Sequence, residues 1–350
     1  MTTDPIALSG APGSPYTRKM LAVLRYRRIP YRFLLPNNPR LRGLPRPKVQ
    51  LLPTFYLSDA AGELQAVTDS TPLIRRFERE YEGRSLIPPD PALGFLNELI
   101  EDYADEWLTK AMFHYRWAYD ADIAKAAKIL PCWRGFSVPD DQLAQAGAMF
   151  AERQIGRLRY VGSNPVTGPV IEASYRRFLE AFEAHLRLYP YLMGQRPGSC
   201  DFAVYGQLTQ LVDFDPTPAA LAIEVAPRVS AWVGMMEDLS GLEVADADWL
   251  EAGDPPDTLR AILAEIGRTY PPVMLANARA VVAGAAEVTA EVDGQAWTQQ
   301  PFPYQAKCLG WLREAHRGLP TQVRPQVDAV LAEAGLSTLF AQTSENKIPA

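Results

Sequence analysis

Ile6-Ala7-Leu8-Ser9-Gly10-Ala11-Pro12-Gly13-Ser14-Pro15-Tyr16-Thr17-Arg18-Lys19 decides how the chain begins to fold. The apolar run Ile6–Ser9 reads as a short strand, and Gly10-Ala11-Pro12-Gly13 as the turn that ends it. Ser14 followed by Pro15 is a helix-start signal, because Ser accepts from an unpaired N–H of the first turn and Pro has none to lose. Met20, Leu21, Val23 and Leu24 then recur at helical spacing. The helix therefore starts immediately after the strand, with Ser14 at its mouth.

Working outward, residues 30–35 predict a second strand and the Pro- and Arg-rich residues 36–48 a surface loop with a helical turn. Residues 51–57 read as a third strand interrupted by Pro53. Residues 64–67 form a fourth after the turn at 59–62, and Asp69-Ser70-Thr71-Pro72 opens a helix to about residue 81. The order is β-α-β-loop-β-β-α. Pro88-Pro89-Asp90-Pro91 is the clearest linker, and helical patterns dominate after it, at 93–119, 121–130, 139–160, 170–188, 200–212 and 227–238. Beyond Asp254-Pro255-Pro256-Asp257, helices are predicted at 257–267, 271–284, 303–317 and 322–334. Alternation at 287–292 followed by Asp293-Gly294 predicts a β-hairpin.

Chemistry concentrates at the helix starts. A helix N-terminus gathers unpaired N–H donors and partial positive charge, which favours a bound anion or thiolate. Oxidoreductases with Cys-Pro-Tyr-Cys at such a place lower a thiol pKa there. Here Ser14 and Thr17 hold both cysteine positions, which excludes disulfide exchange by this motif and leaves a hydroxyl able to stabilise another molecule's thiolate. An ordinary Ser N-cap explains the same residues. Proline inside a strand marks an edge or bulge. A cis Leu52–Pro53 bond would turn the backbone of Leu52 outward to pair with an extended peptide. Asp69 and Ser70 lie at a second helix start, suited to a carboxylate-bearing ligand.

The ordered set Ser14-Pro15-Tyr16-Thr17-Arg18-Lys19, Leu52-Pro53, Asp69-Ser70-Thr71-Pro72-Leu73-Ile74 and Gly194-Gln195-Arg196-Pro197-Gly198-Ser199-Cys200-Asp201-Phe202 resembles the glutathione transferase superfamily over about residues 5–245. The resemblance implies an α/β thioredoxin-like N-terminal domain at 1–88 and an all-α C-terminal domain at 92–250. A mostly helical extension with a β-hairpin occupies 251–350. It further implies a glutathione transferase in which Ser14 is catalytic, Leu52 before Pro53 pairs with the cysteinyl backbone of glutathione, and Asp69 and Ser70 hold its γ-glutamyl end. Glutathione would be a co-substrate attacking an electrophile, in a cytoplasmic, homodimeric detoxification enzyme. The rival is a non-catalytic binding or interaction protein on the same fold. Three features depart from the family pattern: Asp69 stands where Glu or Gln is common, Gly198 replaces a Ser cap, and a hundred residues are added in the manner of a long-tailed, bacterial-type branch.

In Asp102–Trp117, the residues Tyr103, Trp107, Lys110, His114 and Trp117 share one helical stripe. By the resemblance, Tyr16, Tyr103, Trp107 and His114 are candidates for an electrophile pocket, an aromatic one by their chemistry. Core packing explains the same stripe.

Composition narrows the remaining classes. Hydrophobic residues make up 47% and charged residues 22%, which fits globular folding. No apolar run reaches the ~20 residues of a membrane span, and residues 1–5 lack a signal-peptide pattern. Cys132, Cys200 and Cys308 form no CxxC pair, which fits a reducing compartment. His114, His185 and His316 are too scattered for a metal site. Residues 1–90 hold 14 Lys and Arg against 8 Asp and Glu, and the remainder 21 against 33. Such a contrast suits either an anionic ligand or an internal contact, and the acidic whole disfavours nucleic acid. It would also favour pairing of one subunit's N-terminal domain with the other's helical domain. The tail's apolar periodicity, with Trp297 and Trp311, predicts an ordered extension that either braces the fold or caps a pocket.

Overall fold

The computed structural model describes residues 4–251 and 254–341. Met1-Thr2-Thr3, and the tail's residues 252–253 and 342–350, lie outside them. The N-terminal unit is β1 (Ile6–Ser9), α1 (Pro15–Tyr26), β2 (Tyr31–Leu34), β3 (Thr54–Ser58), β4 (Leu64–Val67) and α2 (Ser70–Glu80). Its sheet runs β2-β1-β3-β4, with β1 parallel to β2 and the other neighbours antiparallel. This is the thioredoxin-like arrangement. The α1 face bearing Met20, Val23 and Leu24 is wholly buried with Leu8 and Phe55 of the sheet and Ile74 and Phe77 of α2.

Helices follow: α3 (Pro91–Tyr103), a π-helical turn at Ala104–Leu108, α4 (Thr109–Ala118), α5 (Asp120–Ile129), α6 (Asp140–Ile155), α7 (Leu158–Val161), α8 (Gly168–His185), α9 (Ser199–Leu208), a second π-helical turn at Thr209–Phe214, α10 (Pro216–Val225) and α11 (Pro227–Met236). The chain closes with α12 (Asp257–Ala283), the antiparallel hairpin β5 (Val288–Val292) and β6 (Gln295–Gln299), α13 (Pro303–Gly318) and α14 (Arg324–Glu333). Among the described residues, no single helix is long and apolar enough to cross a membrane.

Several local readings change: the third strand is not interrupted by Pro53 but starts after it, at Thr54, and the helix read over 139–160 ends at Ile155, before the short helix α7 at Leu158–Val161. The pattern broken at Pro271-Pro272 is one continuous 27-residue helix, α12. Two missing N–H donors would normally end a helix, but here Tyr270, Pro271, Val273 and Met274 are buried, and packing outweighs propensity. Helix α10 escaped the reading because Asp215-Pro216-Thr217-Pro218 resembles a loop. Its start is held by Asp122 Oδ1, which accepts from the N–H of Thr217 at 3.1 Å.

The N-terminal unit and the helices meet along α1 and α9. Gly206 permits this, since a Cβ there would sit 2.6 Å from the Pro15 carbonyl oxygen. Gly198 is likewise required: a Cβ would strike Asn97 Oδ1 at 2.3 Å. Asp201 still completes the helix entry, accepting from the N–H of Gly198 at 2.9 Å and of Leu192 at 2.8 Å. The charge contrast is used here, inside one chain. Lys19 pairs with Glu101 and Asp105, Arg18 and Arg25 with Glu237, and Arg75 with Glu98.

The extension packs α12 against α8 and α3, and α13 against α12 and α3. Leu259, Ile262, Leu263, Ile266 and Leu309 are fully buried, and Trp297 stacks near Trp107 with ring centroids 5.3 Å apart. Among its described residues the tail is a packed, mostly helical extension.

Candidate functional site

The sheet brings three chain segments to one end. Ser9 lies opposite Thr54 in the β1–β3 ladder, and Phe55 lies opposite Val67 in the β3–β4 ladder. Leu52-Pro53 leads into β3 and Asp69-Ser70 follows β4, both at this end of the sheet. Ser14, Leu52-Pro53 and Asp69-Ser70 therefore converge beyond the end of β1.

Ser14 caps α1: its Oγ accepts from the N–H of Thr17 at 3.2 Å. The same hydroxyl donates to the Leu52 carbonyl oxygen at 3.2 Å. The Leu52–Pro53 bond is cis, and among the described residues no group accepts from the Leu52 N–H. Asp69 has a φ of +86°, unusual for a residue with a Cβ. It occupies the N-cap position of α2 without capping it. Ser70 is buried as the first residue of that helix. Ser14 and Leu52 are thus in direct contact, and Asp69-Ser70 lies at the same end of the sheet.

The loop carrying Ser14 is anchored from behind. Arg116, on α4, donates to the Gly13 carbonyl at 3.0 Å, and Gln210, in the second π-helical turn, donates to the Pro12 carbonyl at 3.2 Å. Arg116 also donates to Gln210 Oε1 at 2.8 Å and to both oxygens of Asp215. Burial drives the Asp215 carboxyl up to about 6 although Arg116 opposes the shift.

Beneath α1 lies a buried group of carboxylates. Lys19 Nζ donates to Glu101 Oε1 at 2.9 Å and to Asp105 Oδ2 at 2.6 Å. Burial alone would raise Glu101, but Lys19, Arg75 and the Ser199 hydroxyl bring it down to about 2. Asp105 is raised to about 6, by burial against the pull of Lys19, and Glu106 to about 7, by burial and then the Asp105 charge. One ammonium shared by two carboxylates favours leaving a proton on the neighbours. The Tyr16 hydroxyl donates to the Asp105 carbonyl at 2.8 Å, and burial with these charges holds its phenol well above the usual value.

The remaining residues predicted for an electrophile pocket are packed by other side chains. Tyr103 is buried against Phe178 and Tyr270, and Trp107 against Trp297, with its Nε1 donating to Ser174 Oγ at 3.1 Å. His114 is buried between Ser163 Oγ at 2.7 Å and Glu172 Oε1 at 3.0 Å. Tyr103 and Trp107 lie under the extension, against its Tyr270 and Trp297. Among the described residues no group of three His, Cys, Asp or Glu side chains is placed to hold a metal ion.

Sequence reasoning missed Lys19, Glu101, Asp105 and Arg116 as supports. Lys19 carried a signal, since it lies one helical turn from both Pro15 and Val23 on the apolar stripe of α1. It also missed Tyr304 of the extension, whose hydroxyl donates to Asp69 Oδ2 at 2.7 Å. No sequence pattern announces a contact across 235 positions.

Residues 8–85 match the family model of the glutathione S-transferase N-terminal domain. No curated protein matches the chain. Similar solved structures include a glutathione transferase family member from Pseudomonas fluorescens pf-5 with two glutathione bound, at 14% identity and a TM-score of 0.41, covering 66% of this chain and 87% of that one. A glutathione S-transferase from Rhodospirillum rubrum F11 is 16% identical, with a TM-score of 0.41 and coverage of 73% and 97%. A glutathione S-transferase from Methylobacterium radiotolerans, in complex with glutathione sulfonate, is 18% identical, with a TM-score of 0.40 and coverage of 67% and 91%.

Proposed function

We propose, from the match of residues 8–85 to the glutathione S-transferase N-terminal domain, that the chain is a member of that superfamily, binds glutathione at the Ser14 end of the sheet and activates the thiol for attack on an electrophile. The reading divides the chain into a glutathione-binding unit at 1–88, a helical unit at 92–250 and an extension at 251–350. The observation that carries it is the convergence of Ser14, Leu52 and Asp69 around two helix starts. The backbone of Leu52 would pair with the cysteinyl residue of glutathione. Asp69 would take the γ-glutamyl ammonium, and Ser70 at the α2 N-terminus the neighbouring carboxylate.

At Ser14 the hydroxyl has one proton, which now goes to the Leu52 carbonyl. Rotating it toward a bound sulfur supplies a donor to the thiolate, while the α1 N-terminus adds its partial positive charge. Both favour the anion over the thiol, whose free pKa is about 8.5. The thiol proton leaves to solvent, and the thiolate attacks the electrophilic carbon, forming the S–C bond as the carbon's bond to its leaving group breaks and that group departs with the electron pair. The protein would act in the cytoplasm as a homodimer, with detoxification as its role. Light scattering giving a monomer mass would remove the homodimer from this reading.

A second reading, a binding protein without transferase activity, has one observation in its favour: Tyr103 and Trp107 are covered by the extension. Calorimetric titration with glutathione, followed by assays with a panel of aromatic and aliphatic electrophiles, separates the two. Binding with turnover supports the transferase, whereas no turnover, with or without glutathione binding, supports the second reading, and no binding removes the glutathione site.

A further inference from the structure

We infer that Tyr304, from the C-terminal extension, is a positioning residue of the glutathione site, orienting the Asp69 carboxylate toward the ligand's γ-glutamyl ammonium. The inference rests on the proposed glutathione site and adds to it a component from outside the matched N-terminal domain.

Three observations carry it. First, the Tyr304 hydroxyl donates to Asp69 Oδ2 at 2.7 Å, the length of a charge-assisted O–H···O bond. Asp69 Oδ1 has no partner among the described residues and is left for a cationic donor. Second, Tyr304 is held firmly. Phe302, two residues before it, is bracketed by fully buried Asn277, whose Nδ2 donates to the Phe302 carbonyl at 2.9 Å and whose Oδ1 accepts from the Phe302 N–H at 2.8 Å. The following residue, Gln305, donates to the Glu106 carbonyl at 3.1 Å. The Tyr304 ring meets Trp311 edge-on at 6.3 Å. A segment pinned on both sides and from the π-helical turn is part of the site's framework, unlike a loop that must leave for a ligand to enter. Third, Asp69 is one methylene shorter than Glu and sits at a φ of +86°. A fixed external donor narrows the orientations of a short carboxylate, lowering the ordering cost when the ligand binds. Burial, then the nearby Cys308 and Asp69, push the Tyr304 phenol upward, so it remains a donor.

The contact makes a prediction about the ligand's amine. Titration calorimetry compares glutathione with glutaryl-cysteinylglycine, which lacks only the α-amino group, on wild type, Tyr304→Phe, Asp69→Asn, the double variant and Tyr304→Phe/Asp69→Glu. Wild type should prefer glutathione. Tyr304→Phe should lose about tenfold for glutathione, the size of one hydrogen bond to a charged group, and little for the analogue. The double variant should bind no worse than Asp69→Asn, because Tyr304 acts through Asp69. The longer carboxylate of Tyr304→Phe/Asp69→Glu should restore preference for the amine. Equal losses for both ligands on Tyr304→Phe, or no loss, would overturn the inference while leaving the glutathione site standing. A wild type that binds neither tripeptide would overturn the site and the inference together.

Discussion

Lys19 Nζ lies 2.6 Å from Asp105 Oδ2, joining the helix that begins at Ser14 to the π-helical turn of the helical unit. Neither side chain reaches water freely, and Glu101 completes the group at 2.9 Å. Removing one partner of a buried ion pair leaves uncompensated charge and costs about 3–5 kcal/mol. Lys19→Met should therefore lower stability by about that amount in urea unfolding. Adding Glu101→Gln and Asp105→Asn should return most of it, since the stranded carboxylates disappear. A single variant as stable as wild type would show that this group does not hold α1 in place.

Glu106 gives the protein a pH dependence of definite sign. Its carboxyl is raised from 4.5 to about 7, first by burial and then by the Asp105 charge. The folded state thus binds this proton more tightly than the unfolded state, and its contribution to stability falls as pH rises from about 4.5 through about 7. Glu106→Gln keeps the shape without the charge. It should be more stable than wild type at pH 8, by an amount on the order of 2 kcal/mol, and similar at pH 4. Melting temperatures of the two proteins across this range test it. Parallel curves would mean that Glu106 ionises normally.

Trp297 anchors the hairpin of the extension. It is fully buried against Trp107, with Lys110 Nζ 5.7 Å from its ring. Trp297→Ala should cost about 3–5 kcal/mol, typical of a large aromatic removed from a core. Limited proteolysis should then cut within 288–299 in the variant and leave this segment intact in wild type. Rapid trimming of wild type to a core ending near residue 250 would show the extension to be loosely held.

Much of this was legible because local signals agreed with each other. Ser14-Pro15, the Leu52-Pro53 strand start and Asp69-Ser70 each belong to an element whose end the chain itself punctuates. The hairpin at Asp293-Gly294 was readable for the same reason, with Asp293 at a φ of +52° and Gly294 at +74°. What was not legible is tertiary. Pro271-Pro272 reads as a helix end, and only burial of its neighbours reveals a continuous helix. The aromatic stripe Tyr103, Trp107 and His114 looks alike in a pocket lining and in a core, because spacing reports which face a residue shares and not what covers it. Tyr304 and Asp69 lie 235 positions apart, and only the tertiary fold brings them together. The charge contrast was visible at once, but its use in Lys19–Glu101, Lys19–Asp105 and Arg25–Glu237 required the fold.

The account's central claim is that Ser14 and the α1 N-terminus stabilise the thiolate of bound glutathione. The direct measurement is the ultraviolet thiolate absorbance of glutathione titrated with pH on the wild-type protein and on Ser14→Ala, at saturating protein. The account predicts a bound thiol pKa at least about one unit below the free value of about 8.5 in wild type. In Ser14→Ala it should move back toward the free value, with glutathione still bound through Leu52 and Asp69. A bound thiol that titrates like free glutathione in both proteins would contradict it.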